Sequence, residues 1–196
     1  MTPTTPPTAC PTQICYLCPA DVTDTALLRQ LRQWLSPHER QRLERFVRPS
    51  DQHQFLVSHA LLRRMLSRRL GCAPHEVQFG STGRNKPVVA QPLGQLPLHF
   101  NLSHTERLVV VAVGGAPLGV DAEWLGRATA AEQLASRYFT PAECKDIASG
   151  AQALTPQRFL SYWTLKEAFL KAESWGIVDR LNGFAFELSP PGTWPP

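Results

Sequence analysis

The feature that most restricts this chain is a change of periodicity at Gly71. Before it, apolar residues recur at helical spacing; after it, short β-branched runs alternate with glycine and proline turns. Three helices are expected first. "DTALLRQLRQWL" (24–35) gathers Leu27, Leu28, Leu31 and Leu35 behind an aspartate cap, and Ser36-Pro37 supplies the cap and first turn of "SPHERQRLERF". "DQHQFLVSHALLRRMLSRRLG" keeps Phe55, Leu56, His59, Leu62, Met65, Leu66 and Leu70 near one face and stops at Gly71. Strands follow in "VQFGSTGRNKPVVAQP" and "LPLHFNLSHTERLVVVAVGGAPLGVDAEW", with 107–113 and 118–123 read as a hairpin around "GGAP". Helices return in "TAAEQLASRYF", in "TPAECKDIAS" and from Thr155-Pro156 to about Glu173, and "FAFEL" reads as a last strand. Segregated rather than alternating elements predict an α+β fold.

At 196 residues the chain can bury one large core or two small ones. Its longest apolar stretch, "LVVVAVGGAPLGV", is broken by glycine and proline and falls short of the ~20 residues that cross a bilayer, so no membrane span is expected. Residues 1–12, rich in proline and threonine, read as a flexible leader without the pattern of a secretory signal. Five cysteines, an odd number, fit a reducing, cytoplasmic setting. Cys10, Cys15 and Cys18 share the C-x4-C-x2-C spacing of plant-type iron–sulfur proteins, but the next cysteine is distant Cys72, and they are read as ordinary thiols. The net charge of +4 hides a block: residues 29–69 hold ten arginines against Glu39, Glu44 and Asp51. Such a block suits a nucleic acid, a phosphate-rich small molecule or an acidic protein. A nucleic-acid-binding module is the rival reading, yet only Trp34, Phe46 and Phe55 interleave with these arginines as candidate stacking rings.

In "PLGVDAEWL" (117–125), Asp121 and Glu123 would share one face of a strand. Neighbouring carboxylates repel unless a cation or proton lies between them, and Mg²⁺ commonly takes one or two carboxylates and completes its shell with phosphate oxygens and water. The plain alternative is an exposed acidic strand end. The helix "QRFLSYWTLKEAFLKAESW" (157–175) is apolar around nearly its whole circumference except for a stripe of Thr164, Glu167 and Lys171; Lys166 points elsewhere. On a solvated helix, Glu167 and Lys171 would be a routine i,i+4 pair; on one this apolar, they are expected to face a polar cavity. Arg84 and Lys86 in "STGRNKP", and Asn101, Ser103 and His104 in "FNLSHT", add candidate phosphate donors. Three acids for a metal beside bases for phosphates are the parts of a phosphoryl-transfer site, though neither a P-loop nor a Rossmann fingerprint occurs.

"GRNKP", "FNLSH", "LGVDAE", "RYFTPAE" and "WTLKEAFLK", in that order, resemble the 4'-phosphopantetheinyl transferases of the larger, monomeric type that activates peptide and polyketide synthases. The resemblance implies a pseudo-dimer of two similar α+β halves, 13–120 and 121–196, with the second shortened at its C-terminus. It implies transfer of the 4'-phosphopantetheine arm of coenzyme A to a serine of an acidic acyl or peptidyl carrier protein, releasing 3',5'-adenosine bisphosphate. Asp121, Glu123 and Glu167 would hold Mg²⁺, Glu167 would take the serine's proton, and Lys171 would neutralise the attacked phosphate. Lys86, His104, Arg40 and Arg42 would hold the adenosine 3'-phosphate, with a hydrogen bond from Ser103; Glu143, in an F-x-x-x-E segment, is a further candidate. Neither a nucleic acid nor a membrane partner is expected, and a monomer would suffice. A coenzyme A binder that has lost catalysis is the remaining alternative.

Overall fold

The structure, a computed structural model, describes residues 11–81, 86–90, 97–126, 131–149, 155–174 and 181–189. Most of the expected leader, Cys10, Arg84 and Trp175 lie outside these residues. The first half opens with strand β1 (Gln13–Leu17), followed by α1 (Thr25–Trp34), α2 (Pro37–Glu44) and the long α3 (Pro49–Leu70). Helix starts fall where the caps are. Asp24 Oδ1 accepts from the backbone N–H groups of Ala26 and Leu27 at 2.7 and 3.1 Å, and Ser36 forms a reciprocal capping box with Glu39. α3 ends on Gly71 at φ +68°, the left-handed conformation that glycine adopts without steric cost.

A two-stranded ribbon of β2 (Phe79–Ser81) and β3 (Pro87–Val89) leads to β4 (His99–His104) and β5 (Val109–Gly114). The main sheet has the order β1-β5-β4, antiparallel throughout. Every residue of β5 is buried. One face, with Val109, Val111, Val113 and Phe100, packs on Leu62, Met65 and Leu66 of α3, and the other end of α3 joins Phe55, Val57 and Ala60 to Leu31, Leu35 and Leu43 of α1 and α2.

Two strand expectations are corrected. Residues 118–123 are irregular rather than the second arm of a hairpin, because β1 and β4 already occupy both edges of β5. β1 itself carries no strong alternation, and its pairing partner lies about 100 residues away in sequence, so the leader-proximal sequence gave no sign of it. "FAFEL" (184–188) is likewise not a strand. Its backbone groups are held by side chains instead: Glu143 accepts from the Phe186 N–H, Lys166 donates to the Phe184 carbonyl, and Arg158 donates to the carbonyls of Leu188 and Ser189.

The second half contributes α4 (Ala131–Tyr138), α5 (Pro141–Ser149) and α6 (Thr155–Glu173). They share a core of Ala135, Phe139, Ile147, Phe159, Leu160 and Tyr162. A fully buried ion pair, Lys166 Nζ to Glu143 Oε2 at 2.9 Å, joins α5 to α6. Glu143 also accepts from the backbone N–H of Thr140, so this carboxylate caps the start of α5 as well as pairing with Lys166. No helix among the described residues is long and apolar enough to cross a membrane.

Part of the arginine block is committed to contacts within the fold. Arg63 is 1% exposed, donating from Nε to Glu39 at 2.7 Å and from its NH1 nitrogen to the carbonyls of Pro74 and Val77. Arg32 pairs with Glu44, and Arg69 donates to the Pro11 carbonyl. Glu39 lies beneath, also bonded to His59 Nδ1 at 2.9 Å. Burial alone would push its carboxyl up, but the bonds from His59, the Ser36 N–H and Arg63 outweigh it and hold the pKa down at about 2.

Candidate active site

The sheet face turned away from α3 carries Asn101 and Ser103 of β4, opposite Ala112 and Val110. Segment 118–123 lies along this face: the Val120 N–H donates to Asn101 Oδ1 at 2.9 Å, and Ser103 Oγ donates to Asp121 Oδ1 at 2.9 Å. Its other side meets α6 so closely that only glycine fits at 119, where an added Cβ would stand 1.9 Å from the Ala168 carbonyl oxygen. The chain therefore brings β4, the acidic segment and α6 together at one point.

At that point Lys171 Nζ donates to Asp121 Oδ1 at 2.6 Å and lies 3.3 Å from Ser103 Oγ and 3.4 Å from the Val120 carbonyl. Asp121 is 8% exposed at its side chain, and its second oxygen, Oδ2, is buried without a hydrogen-bond partner. Glu167, one turn before Lys171, is 6% exposed. Burial raises its carboxyl pKa above the ordinary carboxylate value, and the nearby charges of Asp121 and Glu123 raise it further, against the opposing pull of Lys171. Asp121, Glu123 and Glu167 are thus close enough to feel one another. Among the described residues no group of three or more His, Cys, Asp or Glu side chains is arranged to hold a metal ion. An open carboxylate set with one unsatisfied buried oxygen nevertheless suits a cation that retains water, as Mg²⁺ does.

A cavity of about 520 Å³ opens beside Asp121 and Glu123, lined by Ser103, His104, Thr105, Arg107 and Trp124 among others. The Arg107 guanidinium lies 4.8 Å from the Trp124 ring centre and covers that wall. Neither residue stood out in the sequence, since an arginine in a turn and a tryptophan after an acidic pair have no periodic signature. Gln54 of α3 reaches the same rim, with its Nε2 at 3.0 Å from His104 Nδ1. The His104 ring, open to solvent on its cavity side, is biased toward its neutral form by the protein that shields its other side from water, then by Lys171 and His59.

The remaining candidates sit elsewhere. Lys86 donates to the carbonyls of Lys171 and Ala172 at 2.6 and 2.9 Å, binding the C-terminal end of α6. Burial lowers its pKa, opposed by Glu173. Arg42 lies 5.3 Å from the Phe55 ring centre and lines a separate concavity of about 370 Å³ with His38, Arg45 and Phe46; neighbouring Arg40 is half-buried on α2. Thr164, expected on the polar stripe, bonds back to the carbonyls of Leu160 and Ser161 within its own helix. Cys15, Cys18, Cys72 and Cys144 are free thiols.

Buried carboxylates, a lysine and an open cavity at the seam of an α+β fold define a class of protein that handles phosphate-bearing substrates by group transfer. Comparison with known proteins narrows the class. Residues 23–115 match the model of the 4'-phosphopantetheinyl transferase N-terminal domain, and 117–194 that of the 4'-phosphopantetheinyl transferase superfamily. The 4'-phosphopantetheinyl transferase HetI of Nostoc sp. is 35% identical, the alignment covering 83% of this chain and 69% of HetI. The psf-1 transferase of Bacillus pumilus is 33% identical over 84% of this chain and 69% of its own length, and Sfp of Bacillus subtilis 29% identical over 81% and 69%. The chain belongs to the 4'-phosphopantetheinyl transferase family.

Proposed function

We propose that this chain binds coenzyme A and Mg²⁺ at the Asp121 cavity and moves the 4'-phosphopantetheine group onto a serine of an acidic acyl or peptidyl carrier protein. The observation that carries the reading is the convergence of Asp121, Ser103 and Lys171 within hydrogen-bonding range beside the buried, proton-avid Glu167. Asp121 with its unpartnered Oδ2, Glu123 and Glu167 would hold Mg²⁺, which when bound supplies charge neutralisation for a pyrophosphate.

Glu167 takes the proton of the carrier serine, directly or through water. The serine oxygen then bonds to the phosphorus that carries the pantetheine arm, and the bond from that phosphorus to the bridging oxygen breaks. 3',5'-adenosine bisphosphate leaves with the bridging oxygen. Lys171 Nζ would bond phosphate oxygens as charge builds, and Ser103 Oγ would add a hydrogen bond by turning its proton from Asp121 to the phosphate. His104 holds the adenosine 3'-phosphate at the Asp121 cavity, Arg40 and Arg42 of α2 add positive charge beside the separate concavity, and Lys86 serves by fixing the end of α6 that presents Lys171. We divide the transferase at 13–120 and 121–196; every proposed catalytic group comes from one chain, so a monomer suffices. The free thiols support a cytoplasmic location.

The test is intact-mass spectrometry of an apo carrier protein incubated with the chain, coenzyme A and Mg²⁺, with a chelator control. A metal-dependent gain of one phosphopantetheine is expected, lost in Asp121→Ala and Glu167→Ala. Full transfer by both variants would overturn the assigned roles.

A further inference from the structure

We propose that Gln54 is a positioning residue that fixes which ring nitrogen of His104 carries the proton, so that a neutral imidazole donates to the phosphate of the bound ligand. The proposal rests on the reading of His104 as a phosphate donor. Gln54 projects from α3 onto the turn that joins β4 to β5, where its Nε2 bonds both His104 Nδ1 and the Thr105 carbonyl oxygen. A carbonyl oxygen only accepts. The amide end at this position must therefore be the NH₂ and not the oxygen, and of its two protons one goes to Thr105 and the other to Nδ1. Nδ1 is thereby an acceptor, and the single proton of the neutral ring resides on Nε2.

The consequence concerns the cavity. His104 is exposed and lines the cavity of about 520 Å³ with Ser103 and Asp121. The Nε2–H tautomer offers a donor to an anionic oxygen without requiring an imidazolium, whereas the other tautomer would offer a lone pair and repel it. Partial shielding from water, then the charges of Lys171 and His59, favour the neutral form in which this choice matters. An aliphatic residue at 54 would leave both tautomers open; an acceptor would select the wrong one. No periodic or motif signal marks Gln54, since its role depends on a turn some 50 residues away.

The test uses the full chain labelled with ¹⁵N-histidine, with ring-nitrogen NMR at a pH where His104 is neutral and its signals assigned by their loss in His104→Gln. Expected are a protonated Nε2 and a bare Nδ1, with Gln54→Glu moving the proton to Nδ1 and Gln54→Met giving a mixture. Coenzyme A affinity, read by calorimetry, should fall about twofold in Gln54→Met, since an even mixture leaves about half of the rings in the Nε2–H form. A protonated Nδ1 in the unaltered chain, or a tautomer indifferent to residue 54, would overturn the proposal. So would a Gln54→Met chain that binds coenzyme A normally while His104→Gln does not. If the tautomer shifts as described but His104→Gln also binds coenzyme A normally, the failure lies with His104 as a phosphate donor and the role given to Gln54 falls with it.

Discussion

Replacing Gly119 by alanine should separate the acidic segment from α6 and abolish most of the activity. A Cβ at 119 would stand 1.9 Å from the Ala168 carbonyl oxygen and 2.7 Å from the Ala172 amide nitrogen, both backbone atoms of a helix that cannot yield by changing rotamer. Restoring an ordinary C···O contact of about 3.3 Å requires the two backbones to part by roughly 1.4 Å. Asp121 is two residues along one side of that contact, and Lys171 is one turn along the other. Their 2.6 Å hydrogen bond cannot survive such a separation unchanged. Displacement of about 1 Å at a reacting centre costs on the order of a hundredfold in rate, while overpacking of this kind costs about 1–3 kcal/mol of stability. The expected result is a folded but destabilised protein with kcat/KM for the carrier lowered about a hundredfold, measured by mass-spectrometric transfer assays beside a urea titration. Unaltered transfer and stability in Gly119→Ala would refute the close approach and, with it, the account of how the site is assembled.

Glu39 should make the fold acid-sensitive in a defined window. Its folded pKa of about 2 lies below the ordinary 4.5, so its stabilising contribution is present above pH 4.5 and is lost as pH falls toward 2; the full shift corresponds to about 3 kcal/mol. Urea midpoints should fall across that range in the unaltered chain and flatten in Glu39→Gln. Breaking the buried pair with Lys166→Met alone should cost about 3–5 kcal/mol by urea titration, since Glu143 is left buried and charged; adding Glu143→Leu should recover part of this. A double variant no better than the single would argue against that penalty. Glu167 has the opposite sign to Glu39. Its folded pKa is raised, so the folded state favours the protonated form and loses stability as pH rises from the ordinary carboxylate range through the raised value. Glu167→Gln should therefore melt higher than the unaltered metal-free chain at neutral pH while failing to transfer; a lower melting temperature would contradict the repulsion assigned to the three carboxylates.

What the sequence determined by itself was local. The starts of α1 and α2 were legible at Asp24 and Ser36-Pro37, and the end of α3 at Gly71, because a cap is satisfied within four residues of its own position. α6 was legible because its apolar circumference leaves Glu167 and Lys171 as exceptions, and the order of short motifs named the family. Tertiary structure decided everything that depends on a distant partner. β1 became the third strand of the main sheet only by pairing with β5, and that pairing is what left 118–123 without an edge and free to lie between the sheet and α6. Glu143 and Lys86, plausible ligands by motif, were committed to Lys166 and to the end of α6 by contacts that no spacing rule encodes. Arg107 and Trp124 entered the cavity wall, and Gln54 came to bond His104 behind it, in the same way. Capping and helical periodicity are short-range and readable along the chain, whereas strand edges, buried charge pairs and cavity walls exist only once segments tens of residues apart have met.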